Sequence, residues 1–121
     1  MANDSFKSIF DSQRLNQIFM LANGKYDAFT DERNAEPVDD PRLFSYHIQQ
    51  LISEIGEVLE ADKRWKNFRN DKCNKDAKAD EIADCFIVLM NIAMFSGMSA
   101  EDLYNAIENK IQTVAERIQK C

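Results

Sequence analysis

The sequence predicts an all-α fold, a bundle of four to five helices forming one domain over residues 1–121. Three observations predict it. Apolar residues recur at intervals of three and four rather than alternating. Glycine and proline are scarce, at 3 and 2, while 30 % of the residues are charged, a composition of long solvated helices with few breaks. A chain of 121 residues supports one modest core and hardly two.

The first helix is expected from Ser5 to about Ala22, with Phe6, Ile9, Phe10, Ile18 and Phe19 inward and Asn23 and Gly24 as its stop. From Lys25 to Asp39 no apolar period is sustained, and DERNAEPVDD reads as an acidic loop or lid. Asp40 is placed to cap a second helix with Pro41 in its first position. That helix runs to roughly Trp65, with Leu43, Tyr46, His47, Leu51, Ile55, Val58 and Leu59 as its core face. A third is expected over about Ala77 to Ser96, ended by Gly97. Its apolar residues surround the cylinder, as in a helix packed on nearly all sides. Ser99 and Asp102 form an S-x-x-D box that opens the last helix, whose stripe is Leu103, Ile107, Ile111, Val114 and Ile118.

Composition also removes function classes. A net charge of −6 argues against duplex nucleic acid as the main partner. The longest apolar run, Cys85 to Met90, falls far short of the roughly 20 residues a membrane crossing needs, and MANDSFKS has no signal-peptide core. A soluble, cytoplasmic protein is expected. Cys73, Cys85 and Cys121 form no CxxC pair and have no neighbouring histidine, so they read as reduced structural thiols rather than a zinc site or disulfide framework.

The third helix carries polar residues that its surroundings do not explain. At about 100° per residue, Asp80, Asp84 and Asn91 share one narrow stripe with Glu81 beside it. Buried carboxylates need hydrogen-bond partners, cations or a wet cleft. In LISEIGEVLE on the second helix, Glu54 and Glu57 stand three apart at the edge of the apolar face, and EIAD repeats that spacing with Glu81 and Asp84. If the two helices pack antiparallel, the four acids converge and repel unless divalent cations neutralise them. Oxygen ligands without histidine or thiolate select Mg²⁺, with Mn²⁺ as a substitute. A magnesium ion that retains waters implies a phosphate-bearing substrate. Between the acidic helices, Lys63 to Lys78 holds seven basic residues against two acids, a net +5. It reads either as a solvated linker or as a phosphate contact, with Lys66, Arg69 and Lys78 as candidates.

ExxE, a spacer of 23 residues, then ExxD resembles the all-α nucleoside triphosphate pyrophosphohydrolases, the group with MazG-like enzymes and dimeric dUTPases. The similarity covers roughly Pro41 to Ile118 and is strongest in SEIGEVLEADKRWKN and ADEIADCFIVLMNIAMFSGMSAEDL. The resemblance implies a MazG-like bundle in which Glu54, Glu57, Glu81 and Asp84 bind Mg²⁺. It also implies that water cleaves between the α and β phosphates, releasing a nucleoside monophosphate and pyrophosphate in nucleotide-pool housecleaning. Glu54 or Glu57 is expected to take the proton from that water. Lys110 and Arg117 match the family's basic positions on the last helix loosely.

Several residues carry two readings. Trp65 is a core or interface residue, or a base-stacking platform where the family places a tryptophan. His47, the sole histidine, reads as a satisfied core group. Asn91 bonds a neighbouring helix or makes a nucleoside or phosphate contact. A di-iron bundle needs two Glu-x-x-His motifs, which one histidine cannot supply. A non-enzymatic helical interaction module is the alternative to an enzyme. So much apolar helix surface on a small chain also leads us to expect a homodimer or homotetramer.

Overall fold

Local signals set the helix ends. The computed structural model describes residues 3–31, 34–62, 64 and 74–120, which hold four helices and no strand: α1 (Asp4–Ala22), α2 (Pro41–Ala61), α3 (Lys75–Met94) and α4 (Ala100–Lys120). Asn3 caps α1 by accepting from the backbone N–H of Ser5 at 2.9 Å and of Phe6 at 3.3 Å. Asp40 caps α2 by accepting from Arg42 and Leu43, with Pro41 filling the first position. Asn74 caps α3 through the N–H of Ala77. At α4 the predicted box closes reciprocally, Ser99 N–H to Asp102 and Asp102 N–H to the Ser99 hydroxyl, at 3.0 and 3.2 Å. Between α3 and α4 the chain turns at Gly97, whose φ of +79° suits a residue without a Cβ.

The most extensive pairing is α2 with α3, and α1 lies against α3 and α4. The N–H of Asp40, at the start of α2, donates to the carbonyl of Phe95, at the end of α3. Lys78, early in α3, reaches back to Asp62, just past α2. These two ties make the α2–α3 hairpin antiparallel. One buried cluster joins α1, α3 and α4 through Phe10, Met90, Ala93, Met94 and Ala100; a second gathers Tyr26, Leu43 and Phe95. No helix among the described residues is long and apolar enough to cross a membrane.

Four expectations need correction. α2 ends at Ala61, short of Trp65, and α3 opens at Lys75 and closes at Met94. Ile9 and Phe19, expected inward on α1, are exposed, because α1 packs on α3 and α4 through Phe10, while Gln17 is buried against Tyr26. Ile55 and Leu59 on α2 are likewise half exposed. The third helix is not covered on nearly all sides. One face, with Met90, Ala93 and Met94, is buried by α1 and the start of α4, but Ile82, Phe86 and Leu89 face outward, Phe86 at 63 %. Continuous apolar character states that a surface is to be covered, not that the same chain covers it.

Candidate metal centre and adjoining cavity

Three-residue spacing on a helix keeps two side chains on one side, one turn apart. On an antiparallel hairpin, two such pairs face each other. Glu54 and Glu57 from α2 and Glu81 and Asp84 from α3 each offer a carboxylate oxygen, and these atoms all lie within 4.8 Å of one another. Glu54 and Glu81 are the inner members; Glu57 and Asp84 stand toward solvent.

One oxygen of Glu54 and one of Glu81 are buried without any hydrogen-bond partner. Buried acceptors without donors are rare in folded proteins. The electrostatics follow. A hydrogen bond shared with Glu57, then burial, then the charges of Glu57, Asp84 and Glu81 raise the Glu54 carboxyl above its ordinary pKa. Glu81 is raised first by burial, then by Glu57, Asp84 and Asp80. The neighbouring Cys85 thiol is pushed up by burial and by all four carboxylates, so it stays a thiol. The donor set is therefore all oxygen, acidic and short of positive charge, which fits Mg²⁺ or Mn²⁺ and not a thiophilic ion.

A cavity of about 270 Å³ opens beside the carboxylates, with Glu54 and Asp84 at one end. Its other walls are amides, rings and the apolar side chains of Met20, Ile87 and Val88. Asn91, 4 % exposed, accepts at 2.9 Å from the Gln13 amide of α1, so it both bonds a neighbouring helix and lines the cavity. His47 stacks on Phe95 with ring planes 9° apart at 5.2 Å. It also contacts Gln50 at 3.2 Å through Nδ1 and the Tyr26 hydroxyl at 3.3 Å through Nε2. The Tyr26 hydroxyl donates to Gln17. Burial pushes the His47 imidazole down to about 4 against the opposing effect of Gln50, and burial, then the charge of Tyr46, raises the Tyr26 hydroxyl. At neutral pH this wall carries no charge.

The His47 value gives a pH dependence. A base with a depressed folded pKa lets the unfolded chain bind its proton first, so stability is full above pH 6.5 and is lost as pH falls toward about 4. The stability difference between wild type and His47→Gln should shrink over that window by on the order of 3 kcal/mol. Urea melts of both proteins between pH 7 and pH 4 measure it; a constant difference would refute the neutral, buried histidine.

Lys78 is engaged elsewhere. It donates to Asp62 at 2.8 Å, and Asp62 is also forked by Arg64 at 2.8 and 2.6 Å. The Arg64 guanidinium, then the Lys78 ammonium, hold the Asp62 carboxyl far below the usual carboxylate range. The structure thus places Lys78 at the hairpin's open end rather than in the cavity wall. Trp65, Lys66 and Arg69 lie outside the described residues. Gln13, Gln17, Tyr26 and Gln50 were not singled out in the sequence. The available signal was the spacing of Phe10, Gln13 and Gln17, which puts two amides on the face of α1 that carries a core aromatic. No family model, no curated protein and no solved structure matches the chain.

Proposed function

We propose that this protein is a Mg²⁺-dependent hydrolase that cleaves a nucleoside triphosphate to the monophosphate and pyrophosphate. The observation that carries this reading is the pair of buried carboxylate oxygens of Glu54 and Glu81 without partners, inside a four-acid cluster at the mouth of a cavity lined by amides. The resemblance of ExxE and ExxD to the all-α pyrophosphohydrolases supports it, as does the antiparallel pairing of α2 with α3 that brings the two motifs together; a MazG-like bundle is part of this proposal.

In this reading Glu54, Glu57, Glu81 and Asp84 hold the cation and, through it, the triphosphate. Bound there, the ion neutralises phosphate charge and acidifies water. Glu54 or Glu57 accepts the proton of the attacking water. Asn91 and Gln13 present amides to the nucleoside, and the cavity, about 270 Å³, leaves the phosphates outside it on the carboxylates. Trp65 stacks on the base, Lys66 and Arg69 hold phosphate oxygens, and Lys78 exchanges Asp62 for phosphate as pyrophosphate departs. A housecleaning role in the cytoplasm fits such chemistry. The exposed stripes on α2, α3 and α4 favour the second reading, a helical interaction module.

Pyrophosphate release across standard and damaged nucleotides separates the two. Release is expected with Mg²⁺ or Mn²⁺ and none with chelator; a panel without any metal-dependent release returns the protein to the interaction-module reading.

A further inference from the structure

A neutral imidazole carries one N–H and one bare nitrogen, and what the two ring nitrogens face decides which is which. His47 is buried, and burial keeps it neutral at ordinary pH. Its Nε2 faces the Tyr26 hydroxyl at 3.3 Å, and its Nδ1 faces the side-chain amide of Gln50 at 3.2 Å. The same hydroxyl bonds the amide of Gln17, which is 3 % exposed. Gln17, Tyr26, His47 and Gln50 therefore form one chain of hydrogen bonds that begins on α1 and ends on α2. Both terminal amides line the cavity beside the carboxylates.

Each middle link has a single hydrogen to give. When Tyr26 O–H donates to the Gln17 carbonyl, the hydrogen facing the Tyr26 oxygen comes from His47 Nε2, because the Met20 sulfur, 3.8 Å away, cannot donate. Nδ1 is then bare. Gln50 satisfies it through its NH₂ and turns its carbonyl to the cavity. In the reverse direction Nδ1–H donates to the Gln50 carbonyl, and the bare Nε2 takes the Tyr26 hydrogen. Gln17 then donates to the Tyr26 oxygen and turns its own carbonyl to the cavity. Any mixed arrangement sets two lone pairs or two hydrogens against each other at a buried site, which folded proteins avoid. The two amides are thus coupled: whenever one shows the cavity N–H, the other shows it C=O.

We propose that this chain runs in either direction, so that the cavity takes heads of either hydrogen-bonding polarity: a ring edge that pairs an amino group with a bare nitrogen, or one that pairs a carbonyl with N–H. Cytosine and uracil are such a pair, equal in ring size and opposite at that edge. Reversal takes one proton from Nε2 and returns one to Nδ1, both exchanged with water, while the hydroxyl and the two amides turn. The ring gains no charge. A site of fixed polarity rejects the reversed edge because its own buried groups are left unpaired. Here the wall turns with the ligand. Tyr26 and His47 are positioning residues, acting on the head through the two amides. The identity of the ligand rests on the hydrolase reading; the chain itself does not.

His47 is the sole histidine, so nitrogen NMR of the labelled ring reads the chain directly. At neutral pH the ligand-free protein should show one protonated and one bare ring nitrogen. Gln17→Met leaves Tyr26 only Nε2 to donate to, and the proton should move to Nδ1. Gln50→Met removes the partner of Nδ1; a bare buried acceptor is tolerated better than an orphaned N–H, and the proton should move to Nε2. In wild type, which needs no variant to fold, saturating deoxycytidine and deoxyuridine monophosphates should shift the tautomer in opposite directions. The kcat/KM values for their triphosphates should differ by less than about tenfold, where a site of fixed polarity discriminates by about 10⁴.

The same tautomer in both variants, the same shift under both monophosphates, a larger difference in kcat/KM or a doubly protonated ring at neutral pH overturns the proposal. Pyrophosphate release with ring signals unmoved by either monophosphate leaves the hydrolase reading standing and overturns the proposal. No release from any nucleotide fells the hydrolase reading and the ligand with it, and the tautomers of the two variants then decide the chain.

Discussion

Glu54→Gln and Asp84→Asn should each lower turnover by about 10²-fold or more while leaving helix content unchanged. Glu54 has a buried oxygen without a partner, and Asp84 offers its carboxylate to the same cluster from α3. Losing either removes a ligand from a set that has no spare donor. The same changes should have the opposite sign on the metal-free fold. Carboxyls raised by mutual repulsion and burial oppose folding as pH climbs past their ordinary range. Each amide therefore raises the melting temperature of the chelated protein, most clearly above pH 6. Mg²⁺ should raise the melting temperature of wild type, by an amount that grows with its concentration, and much less that of the variants. Near-full activity in both variants, or a metal-free melting temperature that falls, would remove these acids from the site.

Phe95→Ala should be the most damaging single change to the fold. Phe95 is 1 % exposed, stacks on His47, meets Tyr26 edge-on at 5.7 Å and offers its carbonyl to the first residue before α2. Truncating a buried phenylalanine costs about 3–5 kcal/mol, a large share of the stability of an ordinary domain. The melting temperature should drop by about 10–20 °C. Calorimetry decides it, and a loss within experimental error would mean that the second core cluster does not hold α2 against α3.

The acidic site was legible because its geometry is local twice over. Each pair is fixed by a three-residue helical spacing, and the pairing of α2 with α3 follows from helices joined through one segment. The caps at Asp40 and Ser99 were legible for the same reason, since each acts within three residues. What failed depended on tertiary approach. Ile9 and Phe19 have the hydrophobicity of core residues, but they are exposed and Gln17 is buried in their place, bonded to Tyr26. Lys78 stands one turn from Glu81, yet Asp62, sixteen residues away, claims it. The outward face of α3 has the composition of a core helix, and composition does not say which chain supplies the other side.

The wall formed by His47, Tyr26, Gln13 and Asn91 also bears on discrimination. All formal charge in the cavity lining lies with Glu54 and Asp84, while the rest of the wall offers dipoles and apolar surface. A molecule that enters must be charged at one pole and neutral at the other. An ionised group carried to the neutral pole would lose its water and gain no counter-charge, a penalty of several kcal/mol. Compounds that share the same anionic tail are thereby sorted by the ionisation state of their heads, before any atom of the wall has to distinguish one ring from another.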